Sequence, residues 1–432
     1  MRISTRRWDG TDARALAAEL RAVAPQQPEI AGEVAQVIEA VRGGGDAALL
    51  DFSEQFDDAR PESLWVERSE LEEELRSMDR DLHDALVLAA ANIEAIAQAQ
   101  IRPGARWVDL PQGHLVRVRS EPVRAAAIYA PGGRAPYPSS VLMGVIPARV
   151  AGVERVVVTS PPRSEGRPHP TVLAAAALVG ADAVLAAGGA QAVAALAYGT
   201  ESIEPVDVIA GPGGPWVQEA KLQVSRQVGV DGYAGPSELM VICDEEAALE
   251  WIALDLCAQA EHGRDSLLVV ICLDGPALEL IGEYVTRAAA ARPSVADAAL
   301  QLVEVSDPVA AGELARWFAP EHLQVDCEGG EDIAGYVPTA GCIFGDIYGA
   351  TAFGDYAAGS NHTLPTGGSG RFNGPLGPDT FTRPISEVDM GGTSPAKLAG
   401  AVETIAAAEG FPVHGESVRV RGDANDPPEQ AS

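Results

Sequence analysis

Basic residues are scarce in this 432-residue chain: 31 Lys and Arg stand against 62 Asp and Glu, a formal charge of −31. That excess repels a phosphate backbone and no basic patch interrupts it, which excludes nucleic acid as a partner. Cysteine is scarce as well. Cys243, Cys257, Cys272, Cys327 and Cys342 form an odd set without a C-x-x-C, which argues against a disulfide framework and a thiolate zinc site and fits a reducing cytoplasm. Cys243 and Cys272 end apolar runs and read as small core residues. Long apolar runs are missing too: the richest, GADAVLAAGGAQAVAALAYG at 180–199, is interrupted by Asp182, a Gly pair and Gln191, so no segment is expected to cross a bilayer. The opening MRISTRRWDG is basic, yet no apolar run follows it, so a secretory signal is not expected. G-x-G-x-x-G, the usual dinucleotide fingerprint, is absent.

What is present is a globular composition, 47% hydrophobic and 22% charged, in a chain long enough for about two to four domains. Residues 11–102 read as helices: PEIAGEVAQVIEAVRGGG has helical spacing and a Gly-rich stop, and 68–100 is a long amphipathic stretch, acidic at first. WVDLPQGHLVRVRS at 107–120 alternates about a turn, as a β-hairpin does. From 123 apolar β-rich runs alternate with Ala-rich helical ones: AAAIYA, RVVVTS, DAVLAA and VDVIAG, then a second series, LMVIC, SLLVVICL, LQLVEVS and GCIFGDI. That alternation predicts an α/β fold with two parallel sheets covered on both faces. An irregular stretch follows over 354–396, then a helical tail from 397 and a disordered end.

Four of the seven histidines, His262, His322, His362 and His414, fall in the C-terminal half with a carboxylate within seven residues of each. Imidazole titrates near neutrality and is the commonest metal ligand. CAQAEHG puts Gln259 and His262 three apart at a helix end, within reach of a common ion. GDYAAGSNHTLPTGG supplies Asp355 and His362, and EGFPVHGE supplies Glu409 and His414. An amide oxygen, imidazoles and a carboxylate form a sulfur-free set that would hold zinc or a similar ion openly, as a catalytic site does. Glycine-rich turns at 129–140, 186–193, 210–220 and 233–238 each read as strand-to-helix connections whose N–H groups can face an anion. Singly they are ordinary turns; together they suggest a ligand cleft. APEHLQV sets Glu321 beside His322 between a proline and an apolar strand-like run, a pairing that points to a group being protonated or deprotonated there.

The segments YAPGGRAPYPSSVLMGVIPARVAGV, GGAQAVAALAYGTE, AGPSE, AQAEH, APEHLQV and GDYAAGSNHTLPTGG, in this order and spacing, resemble the histidinol dehydrogenase family. The resemblance implies two Rossmann-like α/β domains, a helical N-terminal segment (1–25) and a small C-terminal tail domain. The first α/β domain, with metal and catalytic residues, would comprise 26–122 and 239–375; the second, 123–238, would carry NAD. The tail, 376–422, would reach the partner subunit of a homodimer, and 423–432 would be disordered. The implied reaction is a zinc-dependent, NAD-linked, four-electron oxidation of L-histidinol through L-histidinal to L-histidine. By resemblance the zinc ligands are Gln259, His262, Asp355 and His414, the last from the partner, and these also meet the substrate. Glu321 and His322 are the catalytic pair, His322 also touching substrate. Ser237, His362 and Glu409 contact substrate, and Tyr129, Gln191 and the Gly214 position contact NAD.

The chain departs from the family pattern where Gly214 and Gly144 replace asparagines, where Gly263 replaces a common aspartate, and in RFNGPLGPDTF. Loss of an amide anchor at Gly214 bears on NAD affinity. Two other readings therefore stay open. One is a related dehydrogenase of another small polar alcohol, such as a sulfonated propanediol, against which Glu409 argues because a carboxylate suits an imidazole N–H and repels a sulfonate. The other is a zinc-binding relative that no longer uses NAD.

Overall fold

The computed structural model describes residues 1–24, 29–101, 104–133 and 135–423. Its contacts divide the chain into two units, one of Met1–Ile101 with Val123–Phe381 and one of Arg102–Pro122 with Thr382–Ser432. The expected disordered segment 423–432 lies, apart from Asp423, outside the described residues.

The chain opens with a strand, β1 (Arg2–Arg7), where a wholly helical segment is expected over 1–25; helix α1 (Ala13–Arg21) follows. β1 gains its order from distant sequence, pairing in parallel with residues 299–304. Next come α2 (Ala31–Asp57), β2 (Trp65–Glu67), α3 (Arg68–Ser77) and α4 (Arg80–Gln100). The glycine run at 43–45 does not stop α2. Gly45 breaks it locally, at φ 57° and ψ −141°, and the chain resumes its helical course to Asp57.

The hairpin expected over 107–120 forms as β3 (Arg106–Asp109) and β4 (Leu115–Pro122). Then β5 (Ala125–Tyr129), α5 (Pro138–Ala151), β6 (Arg155–Ser160), α6 (Pro170–Leu178), β7 (Ala183–Ala186), α7 (Gly189–Tyr198), β8 (Val208–Ala210), α8 (Pro215–Val224) and β9 (Gly229–Val230) build one sheet, in the order β2-β7-β6-β5-β8-β9. A second sheet takes β10 (Glu238–Cys243), α9 (Leu249–Ala260), β11 (Leu267–Cys272), α10 (Gly275–Ala290), β12 (Ala299–Glu304), α11 (Pro308–Phe318), β13 (His322–Asp326), α12 (Gly330–Tyr336) and β14 (Cys342–Gly345), in the order β1-β12-β11-β10-β13-β14. Each sheet starts near its middle and grows first to one side, then to the other, so each has a switch point, at β5/β8 and at β10/β13. Among the described strands of these two sheets, only β2 runs antiparallel to its neighbour. The inner strands β5, β6, β10 and β11 are buried on both faces, as helix-covered parallel sheets require. Proline in the first turn and Asp caps start many helices; Asp274 and Asp307 accept from Ala277 and Val309 N–H.

The allocation of 26–122 to the domain of 239–375 does not match the packing. Val34, Val37, Ile38 and Leu49 of α2 join the core of Tyr129, Val157 and Val193, while Leu71, Leu86 and Ile93 of α3 and α4 join that of Ile128 and Val158. These helices cover the 125–230 sheet because their apolar stripes match its two faces.

Past β14 the larger unit ends in α13 (Thr351–Tyr356) and two short 3₁₀ turns, Ser369–Arg371 and Pro378–Phe381. The smaller unit joins β3 and β4 to β15 (Thr382–Asp389) as the antiparallel sheet β15-β4-β3, followed by α14 (Ser394–Ala408) and α15 (Pro412–Gly422). Its strand β15 lies within the stretch expected to be irregular, and Arg117 and Arg119 on β4 both hold Glu387 on β15, at 3.1 and 2.7 Å. No described helix is long and apolar enough to cross a membrane.

Gly144 is explained by packing: a Cβ there would stand 2.3 Å from Cγ2 of Ile128, at the α5–β5 contact. Gly144→Ala is expected to cost about 1–3 kcal/mol through overpacking, read as a lower urea midpoint; an unchanged midpoint would show that α5 and β5 separate freely.

Candidate active site

The register of the second sheet creates the site. β10 and β13 run in parallel with Leu239 opposite His322, which brings the segment before β10 beside the segment before β13. α11 stops abruptly because Ala319, at φ 49° and ψ 67°, takes the left-handed conformation and Pro320 follows. Glu321 and His322 therefore enter β13 directly from a helix end, both buried.

The Glu321 carboxylate accepts from Ser237 Oγ at 2.7 Å and from the Glu238 backbone N–H at 2.7 Å. Gln259 Nε2, in the last turn of α9, donates to Ser237 Oγ. His322 Nδ1 lies 3.1 Å from the Glu238 carbonyl, to which it donates in the matching tautomer, and 3.4 Å from Glu321 Oε2. On its other side, Nε2 faces Asp355 Oδ1 at 3.6 Å. Burial alone would lower the basicity of His322, but the carboxylates of Glu321 and Asp355 hold its pKa well above the ordinary imidazole value. For Asp355, burial raises the pKa and is outweighed by His322, with His362 and His262 adding, so the carboxyl stays below its usual range.

His362 takes its place from α13 and the loop after it, with Nδ1 2.9 Å from the Asp355 carbonyl and Nε2 3.2 Å from Ser140 Oγ. Burial pushes its pKa down despite Asp355 nearby. Behind the pair, Arg21 bridges Glu238 at 2.5 Å and donates to the Phe318 carbonyl at 3.1 Å. Sequence reasoning misses Arg21 and Glu238, since an Arg in one helix and a Glu more than two hundred residues later carry no local signal.

Ser237, His262, Glu321, His322, Asp355 and His362 line one hollow of about 280 Å³, with Gln259 bonded at its wall. His262 is exposed just past α9. Glu409, at the end of α14, and His414, on α15, belong to the smaller unit, where both are exposed. Among the described residues no group of three or more His, Cys, Asp and Glu stands ready to hold a metal. The expected set draws only His262 and Asp355 from this unit, plus an amide. That amide fits the role: Gln259 Oε1 is buried and has no hydrogen-bond partner among the described residues, as an oxygen reserved for a cation would be.

A larger cleft of about 510 Å³ shares Tyr137, Gly213, Gly214, Ser237 and His262 with the first and runs past Tyr129, Gly132, Gly133 and Gly189. It lies at the carboxyl ends of the first sheet, at the β5/β8 switch point where doubly wound sheets bind nucleotides. Three of the expected glycine turns join strand to helix there; the fourth, 233–238, leads into β10 instead. Tyr129 is buried, which pushes its phenol up to about 12, and its oxygen accepts from the Gly189 N–H at 3.0 Å. Gln191, at the start of α7, is buried with Nε2 unpartnered among the described residues. These donors and the backbone turns fit a dinucleotide.

A family model described as histidinol dehydrogenase matches residues 21–422. The chain is 43% identical to histidinol dehydrogenase of Parasynechococcus marenigrum over 402 residues, 92% of either chain. It is 41% identical to that of Haloarcula marismortui over 397 residues, 90% of this chain and 93% of the relative. The crystal structure of histidinol dehydrogenase from Elizabethkingia anophelis superposes with a TM-score of 0.89 at 30% identity, covering 98% of each chain.

Gly214 caps α8 at φ −65° and ψ 177°, and a Cβ built on it meets nothing within 4 Å. Gly214→Asn should therefore enter the larger cleft without strain and add one hydrogen bond, worth about 0.5–1.5 kcal/mol. The Kd for NADH in a fluorescence titration is expected to fall by about 2- to 10-fold; an unchanged Kd would mean that this turn faces away from the dinucleotide.

Proposed function

The chain belongs to the histidinol dehydrogenase family, and we propose that the two adjoining clefts are where it carries L-histidinol through L-histidinal to L-histidine, with zinc and NAD bound and with His414 and Glu409 supplied by the partner subunit of a homodimer. The reaction is an NAD-dependent oxidation of histidinol, the final step of histidine biosynthesis. The observation that carries the site assignment is the amide oxygen of Gln259, buried without a partner among the described residues while the same amide touches Ser237 and His322, which in turn meet Glu321 and Asp355.

In this reading Gln259, His262, Asp355 and the partner's His414 hold the metal. When bound, zinc would supply a template and electrostatic aid for the substrate, and NAD would supply the two-electron acceptor for each oxidation. In its neutral form His322 takes the proton of the substrate hydroxyl, and the neighbouring carboxylates of Glu321 and Asp355 stabilise the imidazolium that results. Glu321 then takes a proton from the water that adds to the aldehyde, its carboxylate already aimed by Ser237 and the Glu238 N–H. His322, its first proton released to solvent, then takes the hydroxyl proton of the hydrate. Ser237, His362 and Glu409 position the substrate, and keeping the aldehyde bound between the two oxidations prevents its loss. Tyr129, Gln191 and the Gly214 turn lie on the cofactor side.

A carboxylate at Glu409 supports an imidazole substrate over a sulfonate. Leu88, Phe353 and Tyr356 expose 59, 61 and 63% of their surface, an apolar display that supports a covering partner subunit. The five cysteines are all free, which supports the cytoplasm as the compartment.

The zinc-loaded protein is expected to form about two NADH per L-histidinol consumed, as two successive two-electron oxidations require, and His322→Asn to lose at least about a hundredfold in kcat. One NADH per substrate, or an unimpaired variant, would sink the mechanism. The shared site is tested separately. His262→Asn and His414→Asn, each inactive alone, should regain activity when co-expressed, because one of the two sites in a mixed dimer draws both wild-type residues. Failure of a verified mixed dimer to turn over would place His414 outside its partner's site.

A further inference from the structure

In doubly wound sheets the adenosine half of a dinucleotide lies over the first three strands, and a carboxylate after the second strand reads the ribose. Here those strands are β5, β6 and β7, and β6 is followed by Pro161, Pro162, Arg163 and Ser164, with no acid before Glu165, which pairs with Arg163. A carboxylate reaches the same place from elsewhere. α2 passes its break at Gly45 and ends at Asp57, which lines the larger cleft with Tyr129, Gly132, Pro161 and Gly189. Asp57 Oδ2 is buried and has no hydrogen-bond partner among the described residues, an arrangement that costs stability until a donor arrives. Burial, with the charge of Asp58 adding, pushes its carboxyl up to about 6, so it is still chiefly ionised at neutral pH. The cations nearest in sequence are already engaged: Arg60 pairs with Asp51 and Glu54 at 2.8 and 2.9 Å, and Arg163 with Glu165 at 3.4 Å. A 2′-phosphate beside Asp57 would meet an anion, with Arg60 and Arg163 already paired; the guanidinium that lines the same cleft, Arg264, follows His262 and Gly263 on the side shared with the smaller hollow.

We propose that Asp57 makes this enzyme select NAD over NADP, by accepting hydrogen bonds from the free hydroxyls of the adenosine ribose and repelling a 2′-phosphate. The inference rests on reading the larger cleft as the dinucleotide site and adds the residue that sets cofactor choice.

The test measures Kd for NADH and for NADPH by fluorescence titration of the full-length zinc-loaded protein, its Asp57→Asn variant and its Asp57→Ser variant. Asn keeps the shape and removes the charge, whereas Ser removes both, so a folding fault peculiar to one side chain is exposed by the other. Wild type is expected to bind NADH far more tightly than NADPH, and both variants to lose at least about tenfold of that preference, the equivalent of about 1.4 kcal/mol. A preference within twofold of wild type in both folded variants overturns the role of Asp57 and leaves the dinucleotide site standing. A wild type that binds neither nucleotide removes the site, and the inference falls with it.

Discussion

The parallel pairing of β10 with β13 is the constraint on which the catalytic side depends. A parallel ladder places two amino ends side by side, so the backbone before β10 can fold onto the first residues of β13. The Glu321 carboxylate closes that junction by accepting from both Ser237 and Glu238. Such donors replace the hydration that a buried carboxylate loses. Behind it, Glu238 is itself buried, which raises its pKa, and the bond from Arg21 opposes that shift. Arg21 also holds the Phe318 carbonyl at the end of α11. The start of the chain thus stiffens the turn that delivers Glu321 and His322.

The two sheets share a strand order but use opposite ends. The first offers the carboxyl ends of its strands, where the turns after β5 and β8 diverge and leave a cleft. The second offers its amino ends, where Ser237, Glu321 and His322 converge. The two hollows share Ser237, His262 and Gly214 among their lining residues, so a nucleotide in one and an alcohol in the other would meet at a common wall. Hydrogen transfer requires that contact.

Much of the fold was legible because burial on both faces leaves a plain mark. RVVVTS, LMVIC and SLLVVICL could hardly be anything but inner strands. β1 was illegible, since RISTRR has no apolar run and owes its order to a partner almost three hundred residues away. The grouping of α2–α4 was illegible for a related reason: an amphipathic stripe shows that a helix is covered, not which sheet covers it. At the site, Glu321, His322, Gln259, His262, Asp355 and His362 sit in short motifs that can be read directly. Arg21, Glu238 and Asp57 sit in ordinary helix and strand text, and only their neighbours in space give them a part.

The sequence by itself determined the α/β class, the run of strands and helices, the family and the residue types available for proton transfer and metal binding, because periodicity and short motifs are local properties of a chain. The tertiary structure decided which ends of which sheets face one another, which amide oxygen is left without a partner, why Gly144 admits no side chain beside Ile128, and where the last residue of α2 arrives. Those are matters of distance between residues far apart in sequence, and strand register and helix packing, rather than composition, set such distances.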